Sequence, residues 1–466
     1  MAVIGLKVQA PSTPAPRLFA LAWPLFLELL LGMGVGLVGT VLAARLSDNA
    51  GAAFALSNHV VGMLFILFRV VGAGVVVVVT QGLGAGRRDA ADALARAALG
   101  ASTWVGGAVA MSAAAGAPAL LRLLNAPAEV LPLALPLLLW LAPALLLDAW
   151  NASMGAVMRA HLRARDTLVV MLVMHTTHLG LAVPLMWGLG TGPGSWAGMG
   201  LPGFALALVL SRTLGLVLHL WLWRTRLGLV PQAGDWWRLR RKELAALAHI
   251  GLPGAAENIA YRLAFTVSVA VAGLLGARAL ATHAYAMQII HLVLLFGLAM
   301  GLSVETVVGH HIGAGRLRQA HLLVRRALGL GLLVSVCMAA VAALLAPWLM
   351  RLFTQDPQII AAATTLLWCT VLLEPGRTFN LVVINALRAT GDARYPVLAG
   401  SASMLVVLAG GSWFLGVELG LGLLGLWIAY AADEWLRGLL MWRRWATLAW
   451  VVHARASRRR LAAPIT

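Results

Sequence analysis

The chain has 466 residues, of which 61% are apolar and 11% charged, whereas soluble domains are about 45–50% apolar and about 25% charged. This composition excludes a soluble globular protein. Lys and Arg outnumber Asp and Glu by 35 to 17, a formal charge of +18. By itself this charge is compatible with binding to nucleic acid, with binding to an anionic membrane surface, or with neither. The two cysteines, Cys337 and Cys369, lie far apart inside apolar runs, so we expect neither a disulfide framework nor a metal site.

Twelve apolar runs are each long enough to form a helix across the roughly 30 Å hydrocarbon core of a membrane. The first run follows Arg17 and is too long for the core of a signal peptide, so we expect it to remain as a span. The chain is therefore predicted to be an all-α polytopic membrane protein. The predicted spans are 18–44, 52–82, 94–118, 130–157, 167–189, 199–223, 246–274, 280–308, 322–347, 359–386, 395–417 and 421–448.

The basic residues collect on one side of these spans. Of the 35 Lys and Arg residues, 26 fall in alternate loops and the terminal segments, 4 in the other loops and 5 within spans. Because cytoplasmic loops are enriched in Lys and Arg, both termini are predicted to be cytoplasmic. The run from Arg238 to Lys242 lies beside a span, so we interpret it as a topological signal and expect no nucleic-acid partner.

The sequence also repeats itself at an offset of 229 residues, without a gap over about 145 residues. Chance matches in an Ala- and Leu-rich chain would not include so many Pro, Glu, Asn and Arg residues. The matching pairs include Pro24 with Pro253, Glu28 with Glu257, Arg96 with Arg325, Asn151 with Asn380, and Arg159 with Arg388.

The repeat predicts two lobes of six spans each. Because six is an even number, both lobes insert with the same orientation and should enclose a central cavity between them. The predicted segments are a cytoplasmic N-terminal segment (1–17), an N-lobe (18–223), a basic linker (224–245), a C-lobe (246–450) and a basic cytoplasmic tail (451–466).

Two bundles that rock against each other around a central site are typical of a transporter. The sequence has no Walker motif, no nucleophile elbow and no paired metal ligands, so we expect no enzyme activity, no cofactor and no metal. The energy for transport would then come from an ion gradient.

Few ionisable residues fall inside the spans, and each is costly enough there to be a functional candidate. Glu374 and Arg377 are three residues apart on one helix face, which predicts an internal ion pair, and Asn380 continues that face. Asp148 is the repeat counterpart of Arg377, and we expect the two to attract each other across the cavity. The other candidates are Glu28, Arg69, Glu257, Arg262 and Glu305, with His175 and His178 in span 5.

Several motifs in this order resemble the multidrug and toxin compound extrusion (MATE) transporters. They are Leu252–Glu257, Ala281–Ala284, Val308–Gly315, Leu352–Thr354, Glu374–Asn380, Leu387–Asp392 and Asp433–Arg437. The resemblance covers the chain from about Leu21 to Trp450. It implies an antiporter of the bacterial inner membrane that exports amphipathic, often cationic small molecules in exchange for H⁺ or Na⁺.

Two acidic positions of the family are missing here, because Gly39 and Arg377 occupy them. We therefore hypothesise that Glu257 or Glu374 carries the coupling proton, with Arg262 or Arg377 beside it. His175 with His178, or Glu305, would be alternatives. A lipid or polysaccharide flippase of the same superfamily is a second interpretation, which predicts a more basic cavity, and a membrane-embedded enzyme is a third. We expect a monomer in the lipid bilayer.

Overall fold

The computed structural model describes residues 18–64, 66–189 and 196–462, and these are helical apart from turns and one short strand pair. Strand β1 (Gly188–Leu189) pairs antiparallel with β2 (Trp196–Ala197) and connects two helices of the first half. Lys7, Arg17 and the side chain of Arg69 lie outside the described residues.

The described part of the first half contains seven helical stretches, and the second predicted span includes two of them, α2 and α3. The helices are α1 (Leu18–Leu46), α2 (Asp48–Leu64), α3 (Ile66–Gly84), α4 (Arg88–Leu123), α5 (Leu131–Ala160), α6 (Ala164–Trp187) and α7 (Leu201–Leu222). A π-helical turn (Trp223–Leu227) extends α7, and a 3₁₀ turn (Ala233–Trp236) lies in the linker.

The second half repeats this arrangement and adds a C-terminal helix. The helices are α8 (Arg241–Leu274), α9 (Ala277–Gly313), α10 (Leu317–Leu344), α11 (Ala346–Met350), α12 (Pro357–Ala389), α13 (Arg394–Ser403), α14 (Gly411–Trp413), α15 (Gly422–Ala446) and α16 (Trp450–Ala462). The π-helical turn Met404–Gly410 joins α13 to α14, and a second, Phe414–Glu418, extends α14, so that Arg394–Glu418 forms one continuous span.

Nine helical segments within the described residues are long and apolar enough to cross a membrane. The other three predicted spans are helical as well. One corresponds to α2 and α3 taken together, with 17 and 19 residues. Helices α8 and α15 are long but carry buried charges, such as Glu257 in α8 and Glu434 in α15. Glu257 and Glu434 belong to the site described below.

Each half packs around its own interior, and small residues bring the helices close together. Ala134, Ala182 and Ala205 are fully buried in the first half, and Ala272 and Ala363 are fully buried in the second. Between membrane helices, close van der Waals packing at such small residues replaces the hydrophobic effect as the stabilising force.

The two halves contact each other at the end of the bundle that carries the basic loops, which we call the basic end. Here α3 of the first half packs against α8 and α9 of the second. A Cβ atom on Gly313 would lie 2.0 Å from the carbonyl oxygen of Gln81, and one on Gly84 would lie 2.2 Å from that of His310. Gln81 Nε2 also donates to the carbonyl oxygen of Ala389 at 2.8 Å. Only glycine permits so close an approach of two backbones.

Helix α16 extends along the basic end of the second half and is held there by polar contacts. The guanidinium of Arg444 and the ring of His453 approach the Asp392 carboxylate at 2.8 and 3.7 Å. Ser457 Oγ donates to the carbonyl oxygen of Thr390 at 3.3 Å. The basic tail therefore packs on the loop that follows α12.

Candidate functional site

Helices α12 and α15 contribute a buried network of charged side chains to the interior of the second half. Arg377 contacts Glu374 through Nη1 at 2.7 Å, which confirms the ion pair expected from their spacing. Arg377 Nε lies 3.2 Å from Glu434 Oε1 on the neighbouring helix. Each of the three side chains is at most 5% exposed. A charge buried this deeply is stable only when paired and hydrogen-bonded.

A second arginine, Arg437, extends the network along α15. Its Nη2 lies 2.7 Å from Asp433 Oδ2 and 2.8 Å from Glu434 Oε1. Ser403 Oγ donates to Asp433 Oδ1 at 2.6 Å, and Asn380 Nδ2 donates to Glu434 Oε2 at 3.1 Å. Glu434 therefore accepts hydrogen bonds from Arg377 and Asn380 and forms an ion pair with Arg437. Asn380 lies on the same helix face as Glu374 and Arg377, as its spacing predicted.

Glu257 also joins this region, but its partner differs from the one expected. Its Oε2 accepts from Arg388 Nη2 at 2.5 Å, whereas Arg262 donates to the carbonyl oxygen of Gly62 at 3.4 Å. Residues five apart on an α-helix differ by about 140° in direction, so Glu257 and Arg262 face different neighbours. The buried carboxylate of Glu305 lies near enough to Arg388 for the two charges to interact.

Two of these carboxylates, Glu257 and Glu434, and all three arginines line a cavity of about 220 Å³. The other three carboxylates lie behind the lining arginines, so the charge cluster as a whole contains five carboxylates and three guanidinium groups among the described residues. The carboxylates are Glu257, Glu305, Glu374, Asp433 and Glu434, and the arginines are Arg377, Arg388 and Arg437. The remaining lining includes Asn258, Tyr261, Leu294, Leu298, Asn385 and Met404.

The first half holds a smaller charged group between α5 and α7. Asp148 Oδ1 lies 2.6 Å from Arg212 Nε. The expected attraction between Asp148 and Arg377 is therefore wrong, because each finds a partner within its own half. Asn151 Nδ2 donates to the carbonyl oxygen of Arg212 at 2.9 Å, and Asn151 Oδ1 contacts His219 Nδ1 at 2.9 Å.

His175 and His178, on α6, lie beside this ion pair. Both imidazoles are buried, and the positive charge of Arg212 acts on both. The ring of His178 meets that of Phe204 edge-on at 4.7 Å between centroids. Both ring nitrogens of His175 lack a hydrogen-bond partner among the described residues.

One ion pair occurs in both repeats. Glu28 Oε2 of α1 lies 3.6 Å from Arg159 Nη1 of α5, and the equivalent residues Glu257 and Arg388 form the pair between α8 and α12. Each pair joins the first and fourth spans of its half near the basic end. Glu28 therefore connects helices in the first half, away from the cavity described above.

Sequence reasoning did not select five residues of these networks as candidates: Arg212, Arg388, Asp433, Glu434 and Arg437. Arg388 was placed in a loop, yet its long side chain reaches back to Glu257. The i, i+3 and i, i+4 spacing of Asp433, Glu434 and Arg437 within a span-length apolar run was the signal available for α15.

Twelve membrane-spanning segments in two repeats, with paired charges buried inside each half, define a polytopic membrane transport protein. The MatE family model matches residues 24–184 and 253–413, one match in each repeat. The chain belongs to the MatE family, the family of MATE transporters.

Individual relatives agree with this assignment. The chain is 30% identical to the uncharacterized transporter YisQ of Bacillus subtilis over 95% of this chain and 97% of that protein. It is 26% identical to the probable multidrug resistance protein NorM of Thermotoga maritima, over 91% and 90% of the two chains. The fold matches a structure described as the outward-facing conformation of a multidrug resistance MATE family transporter, with a TM-score of 0.83, 19% identity, and coverage of 97% and 100%.

Proposed function

We propose that this protein is a multidrug exporter that moves organic cations out of the cell in antiport with H⁺. The observation that carries the proposal is the buried charge cluster of the second half, in which five carboxylates outnumber three guanidinium groups. A cluster with excess negative charge attracts cations, whereas the alternative of a flippase for phosphate-bearing lipids calls for excess positive charge. The relatives named as multidrug resistance proteins support drug export.

The contacts of Arg377 favour H⁺ over Na⁺ as the coupling ion. Hard cations bind several oxygen ligands at once. Here the guanidinium of Arg377 already binds oxygens of Glu374 and Glu434, so a metal ion would have to displace a covalently attached positive charge. A proton requires only one carboxylate oxygen.

Among the carboxylates of α12 and α15, Glu374 is the best candidate to carry the proton. Glu434 accepts hydrogen bonds from Arg377 and Asn380 and forms an ion pair with Arg437, so its charge is compensated by several partners. Glu374 accepts from Arg377 alone among the described residues and is 1% exposed. With a single partner, Glu374 has the fewest contacts to rearrange when it gains or loses a proton.

Coupling of export to proton entry then follows because the proton and the cationic substrate group depend on the same negative charge. When Glu374 is ionised, its charge compensates Arg377 and the charge cluster attracts a cationic substrate group to the cavity, and protonation of the carboxylate weakens that attraction. Binding of the proton and of the substrate therefore oppose each other, and by linkage each ion promotes release of the other. The cavity of about 220 Å³ is smaller than the roughly 300–1,000 Å³ of drug-sized sites, so it accommodates the cationic end of a substrate.

Alternating access would use the interface between the halves. The described structure is closed at the basic end, where Gly84 and Gly313 bring backbones into contact. If the basic end faces the cytoplasm of the bacterial inner membrane, this is the state that releases substrate outward. Separation of α3 from α9 would then open the cytoplasmic entrance.

The test is transport of a cationic dye in proteoliposomes in which the pH and Na⁺ gradients are imposed independently. A pH gradient alone should drive uptake, and Glu374→Gln should abolish that response because a neutral amide cannot exchange a proton. Glu129→Gln, at an exposed loop position, is the matched control and should transport normally. Transport that follows the Na⁺ gradient, or an unchanged pH response in Glu374→Gln, would contradict the proposal.

A further inference from the structure

The two halves contain the same inter-helix ion pair with opposite polarity. In the first half, Asp148 of α5 pairs with Arg212 of α7, and in the second, Arg377 of α12 pairs with Glu434 of α15. Asp148 and Arg377 are separated by the 229-residue offset of the repeat. The acidic residue of one half therefore occupies the position of the basic residue in the other.

Arg212 and Glu434 are equivalent as well. A Gly-Leu-x-Gly sequence stands at the start of the sixth span of each half, α7 and α15, from Gly200 and from Gly422. This alignment corresponds to an offset of 222 residues, which places Arg212 on Glu434. The offset is smaller than 229 because the connection before α15 is shorter than the one that contains β1 and β2.

The two ion pairs also have different neighbours. The pair in the second half is accompanied by further carboxylates, Glu374 and Asp433. The pair in the first half is accompanied by the imidazoles of His175 and His178, and no carboxylate besides Asp148 contacts Arg212 among the described residues. The side chain of Asp148 is 23% exposed, so this site is more accessible than Glu374.

Hydrogen-bond donors in the first half remain unused. His175 is 5% exposed, and neither of its ring nitrogens has a hydrogen-bond partner among the described residues. Arg212 reaches Asp148 through Nε, and its buried Nη1 likewise has no hydrogen-bond partner there. Buried donors without acceptors are costly, so a ligand that supplies an acceptor would be stabilised.

We propose that Arg212, His175 and His178 form a binding site for an anionic group, specifically a carboxylate, of a transported compound. A guanidinium binds a carboxylate through two parallel N–H bonds, and a neutral imidazole can add another donor. Asp148 competes with the ligand for Arg212. The inference rests on the proposed function, because the ligand is a compound whose cationic end binds in the second half.

The experiment compares two probes that differ by one group: a cationic rhodamine methyl ester and the zwitterionic free acid of the same dye. Binding to the purified protein in nanodiscs is measured by fluorescence anisotropy. The wild type should bind the free acid about tenfold more tightly than the ester, the effect of one charge-assisted hydrogen-bonded contact. Arg212→Gln should remove this preference and leave affinity for the ester unchanged.

Asp148→Asn provides the decisive comparison. It removes the competitor of the ligand, so binding of the free acid should become tighter, by roughly threefold or more. If the pair only held α5 and α7 together, Asp148→Asn and Arg212→Gln would break the same contact and weaken both probes alike. That result would overturn the proposal.

A third variant leaves the ion pair intact. His175→Leu should weaken binding of the free acid but not of the ester, whereas His283→Leu, at a buried imidazole of the second half, should not alter the preference. If the wild type binds and exports the ester but shows no preference for the free acid, the carboxylate site is rejected and the proposed function stands. If neither probe binds, the proposed function fails and the site fails with it.

Discussion

At the scale of single residues, the buried arginines separate carboxylates that would otherwise repel each other. Arg437 lies between Asp433 and Glu434, adjacent residues whose carboxylates would repel each other in a membrane interior. Such a network is stabilising only when complete, because the loss of one partner leaves uncompensated charge in a low dielectric. Arg437 is therefore expected to matter more for folding than for substrate contact.

We predict that Arg437→Met destabilises the protein by about 3–5 kcal/mol, measured as a lower unfolding midpoint by tryptophan fluorescence in detergent. Adding Asp433→Asn should restore part of the loss, because it removes one of the stranded charges. Arg351→Met, at an exposed position, is the control and should unfold like the wild type. Equal midpoints for Arg437→Met and Arg351→Met would show that the network contributes little.

The residue scale is also where prediction from sequence reached its limit. The pair of Glu374 and Arg377 followed from helix periodicity, since both residues lie on one helix. The pairs of Asp148 with Arg212 and of Glu257 with Arg388 join helices distant in sequence, and no local pattern specifies which helices become neighbours. For that reason the predicted partners, Arg377 for Asp148 and Arg262 for Glu257, were wrong.

At the scale of elements, the contact between α3 and α9 depends on glycines that admit no side chain. The Cβ atom of any other residue at 313 would lie 2.0 Å from a backbone oxygen, a distance that only displacement of a helix could relieve. Helix positions were predicted to within a few residues because apolar runs and polar breaks are local signals. This contact between the halves was not predicted, because it depends on how two bundles meet.

We predict that Gly313→Val prevents the halves from closing at the basic end. Spin labels on cysteines that replace Asp89 and Arg318, both exposed at that end, should report a longer distance than in the labelled wild type. Cys337 and Cys369 are first replaced by serine so that only the introduced sites react.

Gly329→Val is the matched control for this experiment. Gly329 lies on the adjacent helix α10 and has nothing within 4 Å of a Cβ atom, so the same side chain should leave the distance unchanged. An unchanged distance in Gly313→Val as well would mean that the backbones can separate locally without opening the interface.

At the scale of the whole molecule, the distribution of basic loops and the two-fold repeat determine the architecture together. Both are statistical properties of the entire sequence, which is why the number of spans and the division into two halves could be predicted. The charged cavity in one half could not, because it depends on side chains from α8, α12 and α15 meeting at one point.

The basic end is predicted to face the cytoplasm. In intact cells, a membrane-impermeant maleimide should label a cysteine that replaces Glu129, at the opposite end. It should not label one that replaces Arg226, an exposed residue of the basic end, until the cells are permeabilised. Labelling of the Arg226 position in intact cells would reverse the assigned orientation.

The ion pair of inverted polarity also bears on how the duplicated gene diverged. Asp148 and Arg377 occupy equivalent positions of the repeat, so they descend from one residue of the unduplicated sequence. The charge at that position must have changed in at least one copy. If its partner had not yet changed, two like charges would have faced each other inside the bilayer, a costly arrangement. The inversion therefore indicates a path through uncharged intermediates, after which each half acquired its own chemistry. By contrast, the Glu–Arg pair occupies equivalent positions in both halves, as expected of a pair inherited through the duplication.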